Sequence, residues 1–115
     1  MSKEVPLPIA FYRTPGSTEP VREWLMSLPA EVRKEVGAEI RTVQNSWPLG
    51  KPHVDGFGGG LYEARASYRG QQYRVFFIIV EGTMVLLHGF QKKTQKTPTA
   101  EIDLARRRQK EVTSS

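Results

Sequence analysis

The chain has 115 residues, which is enough for one domain and too few for two of ordinary size. It contains no cysteine and only two histidines, which excludes disulfides, thiolate metal sites and a cysteine nucleophile and disfavours a dedicated transition-metal site. The net charge of +5 lies entirely in residues 51–115, because residues 1–50 carry six basic and six acidic side chains. A one-sided basic surface indicates a polyanionic partner, such as nucleic acid or an acidic protein segment, or else a merely solvated surface.

The sequence predicts a soluble protein of the cytoplasm. Apolar residues make up 38% of the chain and charged residues 25%, as in a globular domain. The longest apolar run covers residues 75–80, far fewer than the roughly 20 residues of a membrane span. The N-terminal segment lacks the uninterrupted apolar stretch of a signal peptide.

The first half of the chain predicts one strand followed by two helices. The strand, Ile9–Arg13, ends at a Thr-Pro-Gly turn, and Ser17 or Thr18 is the expected cap of the first helix. Pro29 ends that helix and opens the second, which Pro48 stops. Apolar residues at helical spacing form one face of each helix: Val21, Trp24, Leu25 and Leu28 in the first, and Val32, Val36, Ile40, Val43 and Trp47 in the second. Helices joined this closely predict an antiparallel hairpin.

Residues 48–60 predict a flexible loop, because they include five glycines and two prolines. The loop carries Lys51, His53 and Asp55. It is not a phosphate-binding P-loop, because no Gly-Lys-Ser/Thr sequence follows at a strand-to-helix turn.

The second half predicts three strands and a last helix. The strands cover residues 61–68, 73–80 and 84–90, and Glu81-Gly82 fits a two-residue hairpin loop between the last two. Thr97 is the expected cap of the last helix, and residues 113–115 are expected to fray.

The order βααβββα predicts a single α+β domain over residues 1–115. Its sheet would be small, twisted and mostly antiparallel, with the N-terminal helical hairpin on one face. The C-terminal helix completes the fold, and the other face of the sheet would be at least partly open.

Basic residues of the predicted sheet are the first candidates for chemistry. Arg65 lies on the polar face of its strand, and Arg74 is the one charge in an apolar strand. Lys92 and Lys93 leave the end of the third strand, and Lys96 precedes the last helix. If the three strands form a meander, these residues lie in one compact region. A half-buried arginine needs an acceptor, which is either a phosphate or a carboxylate of the protein.

The structural alternative for Arg65 and Arg74 is an ion pair with Glu63. His88 lies on an apolar strand, where it is either a packed histidine or a group for proton transfer.

The chain offers no serine elbow and no convincing pair of carboxylates, so covalent catalysis by the protein has little support. RNA carries its own nucleophile, the 2′-hydroxyl. A site that orients this group and stabilises negative charge with Arg and Lys can cleave RNA without a metal or cofactor.

Several motifs resemble the phage-derived HigB-like branch of the RelE/ParE toxin superfamily. They are LYEAR from Leu61, YRVFF from Tyr73, the run HGFQKKTQKTP from His88, and a helix with the pattern EI-x-x-A-x-x-R from Glu101. The resemblance spans about residues 8–112.

This resemblance implies a toxin of a type II toxin–antitoxin module that cuts mRNA, usually in the ribosomal A site, with no metal. Its partners would be an antitoxin, typically with a helix-turn-helix domain, and mRNA on the ribosome, and no membrane. Arg65, Arg74, Lys92 and Lys93 match the basic positions assigned to catalysis. Lys96, Lys51 and His88 are the candidates for substrate binding.

Two other functions stay open at this point. ParE relatives share the fold but inhibit DNA gyrase without cutting RNA, and a nucleic-acid-binding regulator would have no activity. If Lys92, Lys93, Lys96 and the run Arg106–Arg108 contact phosphates, binding to RNA or ribosomes should weaken steeply with salt. The alternative is that the basic helix faces solvent or the antitoxin.

Overall fold

A computed structural model of the chain describes residues 6–114, and the predictions that concern residues 1–5 and Ser115 lie outside this range. No helix within it is long and apolar enough to cross a membrane. The elements in chain order are β1 (Ile9–Phe11), α1 (Pro20–Ser27), α2 (Ala30–Ser46), β2 (Val54–Gly56), β3 (Tyr62–Tyr68), β4 (Gln71–Val80), β5 (Thr83–Lys92) and α3 (Thr99–Thr113).

The strands form one mixed sheet in the order β1-β5-β4-β3-β2. β1 runs parallel to β5, and every other neighbouring pair is antiparallel. Two-residue turns join β3 to β4 and β4 to β5, and both residues of each turn have positive φ: Arg69 and Gly70, then Glu81 and Gly82. Such turns match the twist of the strands they connect. The predicted α+β class and the β3-β4-β5 meander are therefore confirmed.

The observed order is βααββββα, which has one strand more than predicted. The additional strand, β2, lies inside the segment predicted to be a flexible loop and pairs with Tyr62–Ala64 of β3. Residues after β2 are held by α3: Arg106 donates hydrogen bonds to the carbonyls of Phe57 and Gly58, and Gln109 donates to that of Gly59. A three-residue strand among glycines has too little hydrophobic pattern to be recognised from sequence.

The two N-terminal helices differ from the predicted hairpin. They have 8 and 17 residues and pack against different strands, α1 on β5 and α2 on β3. The cap position of α1 is Glu19 and not Ser17 or Thr18, and it makes no side-chain cap hydrogen bond. At the other end of the chain, Thr113 still belongs to α3 and the backbone N–H of Ser114 donates to the carbonyl of Lys110, so the fraying predicted from residue 113 is not seen at these two residues.

Apolar side chains cover both faces of the sheet. Under α1 and α2 the buried core is formed by Val21, Val32, Val36, Ile40, Val43, Val54, Ala64, Tyr73, Val75, Phe77, Met84 and Leu86. Under α3 it is formed by Tyr12, Leu61, Phe76, Ile78, Val85, Leu87, Phe90 and Ala105. The face expected to be open is thus partly closed by α3, and the polar residues of β3 and β4 lie beside this second core.

The packing of α1 on β5 explains why the HGF motif has a glycine, Gly89, at its centre. It lies in β5 beneath Trp24 of α1, and a Cβ atom at this position would come within 2.3 Å of the indole ring. The close approach of α1 to the sheet therefore requires a residue without a side chain.

We expect Gly89→Ala to lower the free energy of unfolding by about 1–3 kcal/mol, because the added methyl group would displace Trp24 from its packing. Urea denaturation measures the change. Gly50→Ala is the control, because a Cβ atom there meets no other atom within 4 Å. A Gly89→Ala protein as stable as the unsubstituted chain would show that this contact does not constrain the helix.

Candidate functional site

Three of the predicted basic residues lie together on the sheet face that carries α3. Arg65 of β3 is paired directly with Arg74 of β4, and Gln72 of β4 is paired with Lys92 of β5. Because side chains alternate along a strand, Arg65, Arg74 and Lys92 project from the same face. The meander brings these three cations together as the sequence predicts.

Arg74 is buried in an ion pair with Glu63. Only 3% of Arg74 and 2% of Glu63 are exposed, and Nε of the arginine lies 3.6 Å from Oε1 of the glutamate. Nη1 donates to the carbonyl of Tyr73 at 3.0 Å and to the side chain of Gln72 at 3.4 Å. The Nε group itself has no hydrogen-bond acceptor and is buried. The structural alternative for Arg74 is therefore present, yet it leaves this donor unsatisfied.

Thr97 links the segment after β5 to this pair. Its hydroxyl donates a hydrogen bond of 3.0 Å to Oε2 of Glu63. The sequence predicted Thr97 as the cap of the last helix, but α3 begins at Thr99 with Pro98 at the cap position and no side-chain cap. Glu63 is the partner that the sequence offered as the structural alternative for Arg74. Thr97 is a supporting residue that sequence reasoning missed, although it stands within the HGFQKKTQKTP motif.

Burial and neighbouring positive charges shift the pKa values of three residues at the site. Burial raises the pKa of Glu63, while the Thr97 hydrogen bond and the charge of Arg74 act against this change. Burial also lowers the pKa of Arg74, an effect that Glu63 opposes and Arg65 strengthens. The pKa of Lys92 is lowered by its partial burial and then by Arg74. Three cations thus surround one buried carboxylate, an arrangement that favours the binding of an additional anion.

The other predicted lysines lie at the periphery. Lys51 is largely exposed and pairs with Asp55 of β2 at 3.8 Å. Lys93 and Lys96 are exposed in the segment that follows β5. Lys92 and Lys93 line a surface depression of about 430 Å³ beside the β3–β4 turn. None of Lys51, Lys93 and Lys96 makes a recorded contact with Arg65 or Arg74 in residues 6–114.

His88 is engaged with α3. Its Nε2 atom is hydrogen-bonded to Glu101, and its ring stacks on Phe90 with centroids 5.5 Å apart. Its side chain is only 14% exposed. This is the packed histidine that the sequence left open as an alternative, and its position offers little surface for binding substrate.

Two arginines of the basic run in α3 are likewise occupied by the protein. Arg106 binds the carbonyls of Phe57 and Gly58. Arg108 donates to the carbonyl of Leu87 at 2.9 Å and lies over the ring of Tyr12. Of the run Arg106–Arg108, only Arg107 is exposed.

His53 is a candidate that sequence reasoning placed in a loop and did not assign. Its Nδ1 atom lies 2.8 Å from Oε2 of Glu39 in α2. Both residues line a depression of about 420 Å³ that is also lined by Arg65 and Arg74. Within residues 6–114, no three His, Asp or Glu side chains converge as metal ligands.

Removing the charge of Glu63 should expose the energetic importance of the buried pair. We expect Glu63→Gln to lower the free energy of unfolding by about 3–5 kcal/mol, because Arg74 then lacks its counter-charge. The double variant Glu63→Gln/Arg74→Met should recover most of that loss, since it leaves neither charge buried alone. Urea denaturation of the single and the double variant measures these changes in the free energy of unfolding. Glu31→Gln, on the exposed face of α2, is the control. If the single and the double variant are equally destabilised, the pair does not act as a unit.

The burial of His88 predicts a pH dependence of stability. Burial lowers the pKa of His88 below its ordinary value of 6.5, although Glu101 acts in the opposite direction. The unfolded chain therefore binds the proton more readily, so the free energy of unfolding should fall as pH drops below 6.5. Urea denaturation at several pH values should show a smaller fall for His88→Gln. Identical pH profiles for the two proteins would contradict this assignment.

Comparison with known families identifies the relatives of the chain. The family model for phage-derived Gp49-like proteins (DUF891) matches residues 23–110, which include the whole of β3, β4 and β5 and the pair Glu63–Arg74. No curated protein matches the sequence. The Gp49-like family is a toxin-like family of toxin–antitoxin systems. Because the match covers most of the chain, this protein belongs to the phage-derived Gp49-like family.

Proposed function

We propose that this protein is the toxin of a type II toxin–antitoxin module and that it cleaves mRNA on the ribosome, as in the HigB and RelE branches. The observation that carries the proposal is the convergence of Arg65, Arg74 and Lys92 on one face of the sheet, where the buried carboxylate of Glu63 opposes three positive charges. The family supports the toxin role, and the charge cluster supports a phosphate substrate.

A phosphate diester fits this cluster for physical reasons. Like charges at adjacent sheet positions repel one another, and their burial carries a desolvation cost that Glu63 only partly offsets. The planar guanidinium of Arg binds phosphate oxygens through two parallel hydrogen bonds. A phosphate bound beside the partly exposed Arg65 and Lys92 would supply the missing negative charge.

The chemistry needs only the RNA and basic side chains. The 2′-oxygen attacks the adjacent phosphorus, a new P–O2′ bond forms, and the P–O5′ bond breaks to leave a 2′,3′-cyclic phosphate. Arg65, Arg74 and Lys92 stabilise the negative charge that builds up on the phosphorane. Lys93, Lys96 and Lys51 bind flanking phosphates of the mRNA. No cofactor enters this scheme.

The proposal implies particular partners and a location. The cognate antitoxin, of the helix-turn-helix type, would bind the toxin and block it. mRNA and the ribosome are the targets, which places the protein in the cytoplasm. His88 is the weakest of the proposed substrate-binding residues, because Glu101 and Phe90 already occupy its ring.

Induction in a host without the antitoxin tests the nuclease directly. The unsubstituted protein should arrest growth and create new mRNA 5′ ends inside coding regions. The Glu63→Gln/Arg74→Met variant, which we expect to fold, should reduce cleavage by about 100-fold or more, because a main group for charge stabilisation is gone.

The matched control is Glu31→Gln/Arg41→Met, which makes the same two replacements at exposed positions of α2. It should cleave as the unsubstituted protein does. Growth arrest with intact mRNA and DNA breaks would overturn the nuclease and favour gyrase inhibition. Full cleavage by the Arg74 variant would remove Arg74 from the site.

A further inference from the structure

His53 lies beside the predicted catalytic arginines at the point where the sheet edge opens. Its carbonyl accepts a hydrogen bond of 2.9 Å from the backbone N–H of Arg65. Pairing of β2 with β3 ends at Val54 and Ala64, so the edge of β3 beyond Arg65 has no strand beside it. The depression of about 420 Å³ lies at this opening, and its lining includes His53, Arg65 and Arg74.

His53 is more exposed to solvent than Glu63 and His88, two residues of the sheet that could also accept a proton. Its side chain is 42% exposed, whereas that of Glu63 is 3% exposed and that of His88 is 14% exposed. Both oxygens of Glu63 face partners, Thr97 and Arg74. Of these three side chains, that of His53 is therefore the most accessible to a substrate.

The imidazole is oriented by a carboxylate. Glu39 accepts the proton of Nδ1, and its side chain is itself only 18% exposed. This contact leaves the lone pair on Nε2 free, which is the tautomer required of a base. A base held by a second group in this way is a common arrangement for proton transfer.

Charged groups face His53 from several elements. Glu35 and Glu39 belong to α2, Arg65 to β3 and Arg74 to β4, and all four line the same depression as the imidazole. The segment of His53 itself contributes the Lys51–Asp55 pair.

We propose that His53 is the general base of the ribonuclease reaction and that Glu39 is its positioning residue. This inference rests on the proposed function. Nε2 of His53 takes the proton of the 2′-hydroxyl as the P–O2′ bond forms. The departing 5′-oxygen takes a proton from a water molecule. The hydroxide that remains is neutralised by the proton that His53 releases, so no net proton is gained or lost.

Single-turnover cleavage of mRNA on programmed ribosomes, measured against pH, tests this role. The rate of the unsubstituted protein should rise with pH and then level off, as general-base catalysis requires. His53→Gln should cut the rate by about 100-fold or more and abolish the rising limb. Glu39→Ala should lower the rate, because the ring loses the group that orients it, and Glu39→Gln, whose amide oxygen still accepts the Nδ1 proton, should retain most of it.

Two controls separate catalysis from folding. Added imidazole should restore part of the activity of His53→Ala, which a purely structural role of His53 would not allow. Glu31→Gln, which removes a carboxylate from the exposed start of α2, should leave the pH profile unchanged. If His53→Gln cleaves with the rate and profile of the unsubstituted protein, His53 is not the base, while the proposed function stands. If the unsubstituted protein cuts no RNA, both proposals fail together.

Discussion

The ion pair between Glu63 and Arg74 is the constraint around which the second half of the protein is arranged. Both side chains are almost completely buried, and each would be costly to bury alone. The pair therefore requires β3 and β4 to stay in register, since a slip of one residue would send one partner to the opposite face. That same register places Arg65 directly opposite Arg74. A stabilising pair and a concentration of positive charge thus arise from one strand pairing.

Elements distant in sequence support this part of the sheet. Thr97, just before α3, binds the second oxygen of Glu63. Along α3, Glu101 binds His88 of β5, and Arg106 binds the carbonyls that follow β2. On the other face, α2 packs on β3 and carries Glu39, the partner of His53. The C-terminal helix thus contributes mainly to positioning, which explains why two of its three consecutive arginines are turned toward the protein.

Much of this arrangement could be predicted from the sequence, because local patterns determine it. The apolar spacing of α2 and the turn residues at Glu81-Gly82 were sufficient to predict the helix and the hairpin. The meander then implied that Arg65, Arg74 and Lys92 share one region. Other features depend on contacts between distant residues: β2 exists because β3 and α3 hold its segment, and Thr97 binds Glu63 instead of capping a helix. His53 could not be assigned for the same reason, since its partner Glu39 lies 14 residues earlier on a helix.

The most direct test follows Nε of Arg65, the partly exposed arginine that lies opposite Arg74 in the sheet. The protein, labelled with ¹⁵N in its arginine side chains, would be titrated with a 2′-O-methyl RNA oligonucleotide, which cannot be cleaved through the 2′-oxygen. If the cation cluster binds phosphate, the Nε–H resonance of Arg65 shifts saturably as the oligonucleotide is added. Binding of the oligonucleotide, seen in shifts of other residues, with an unchanged Arg65 resonance would contradict a phosphate site at this cluster.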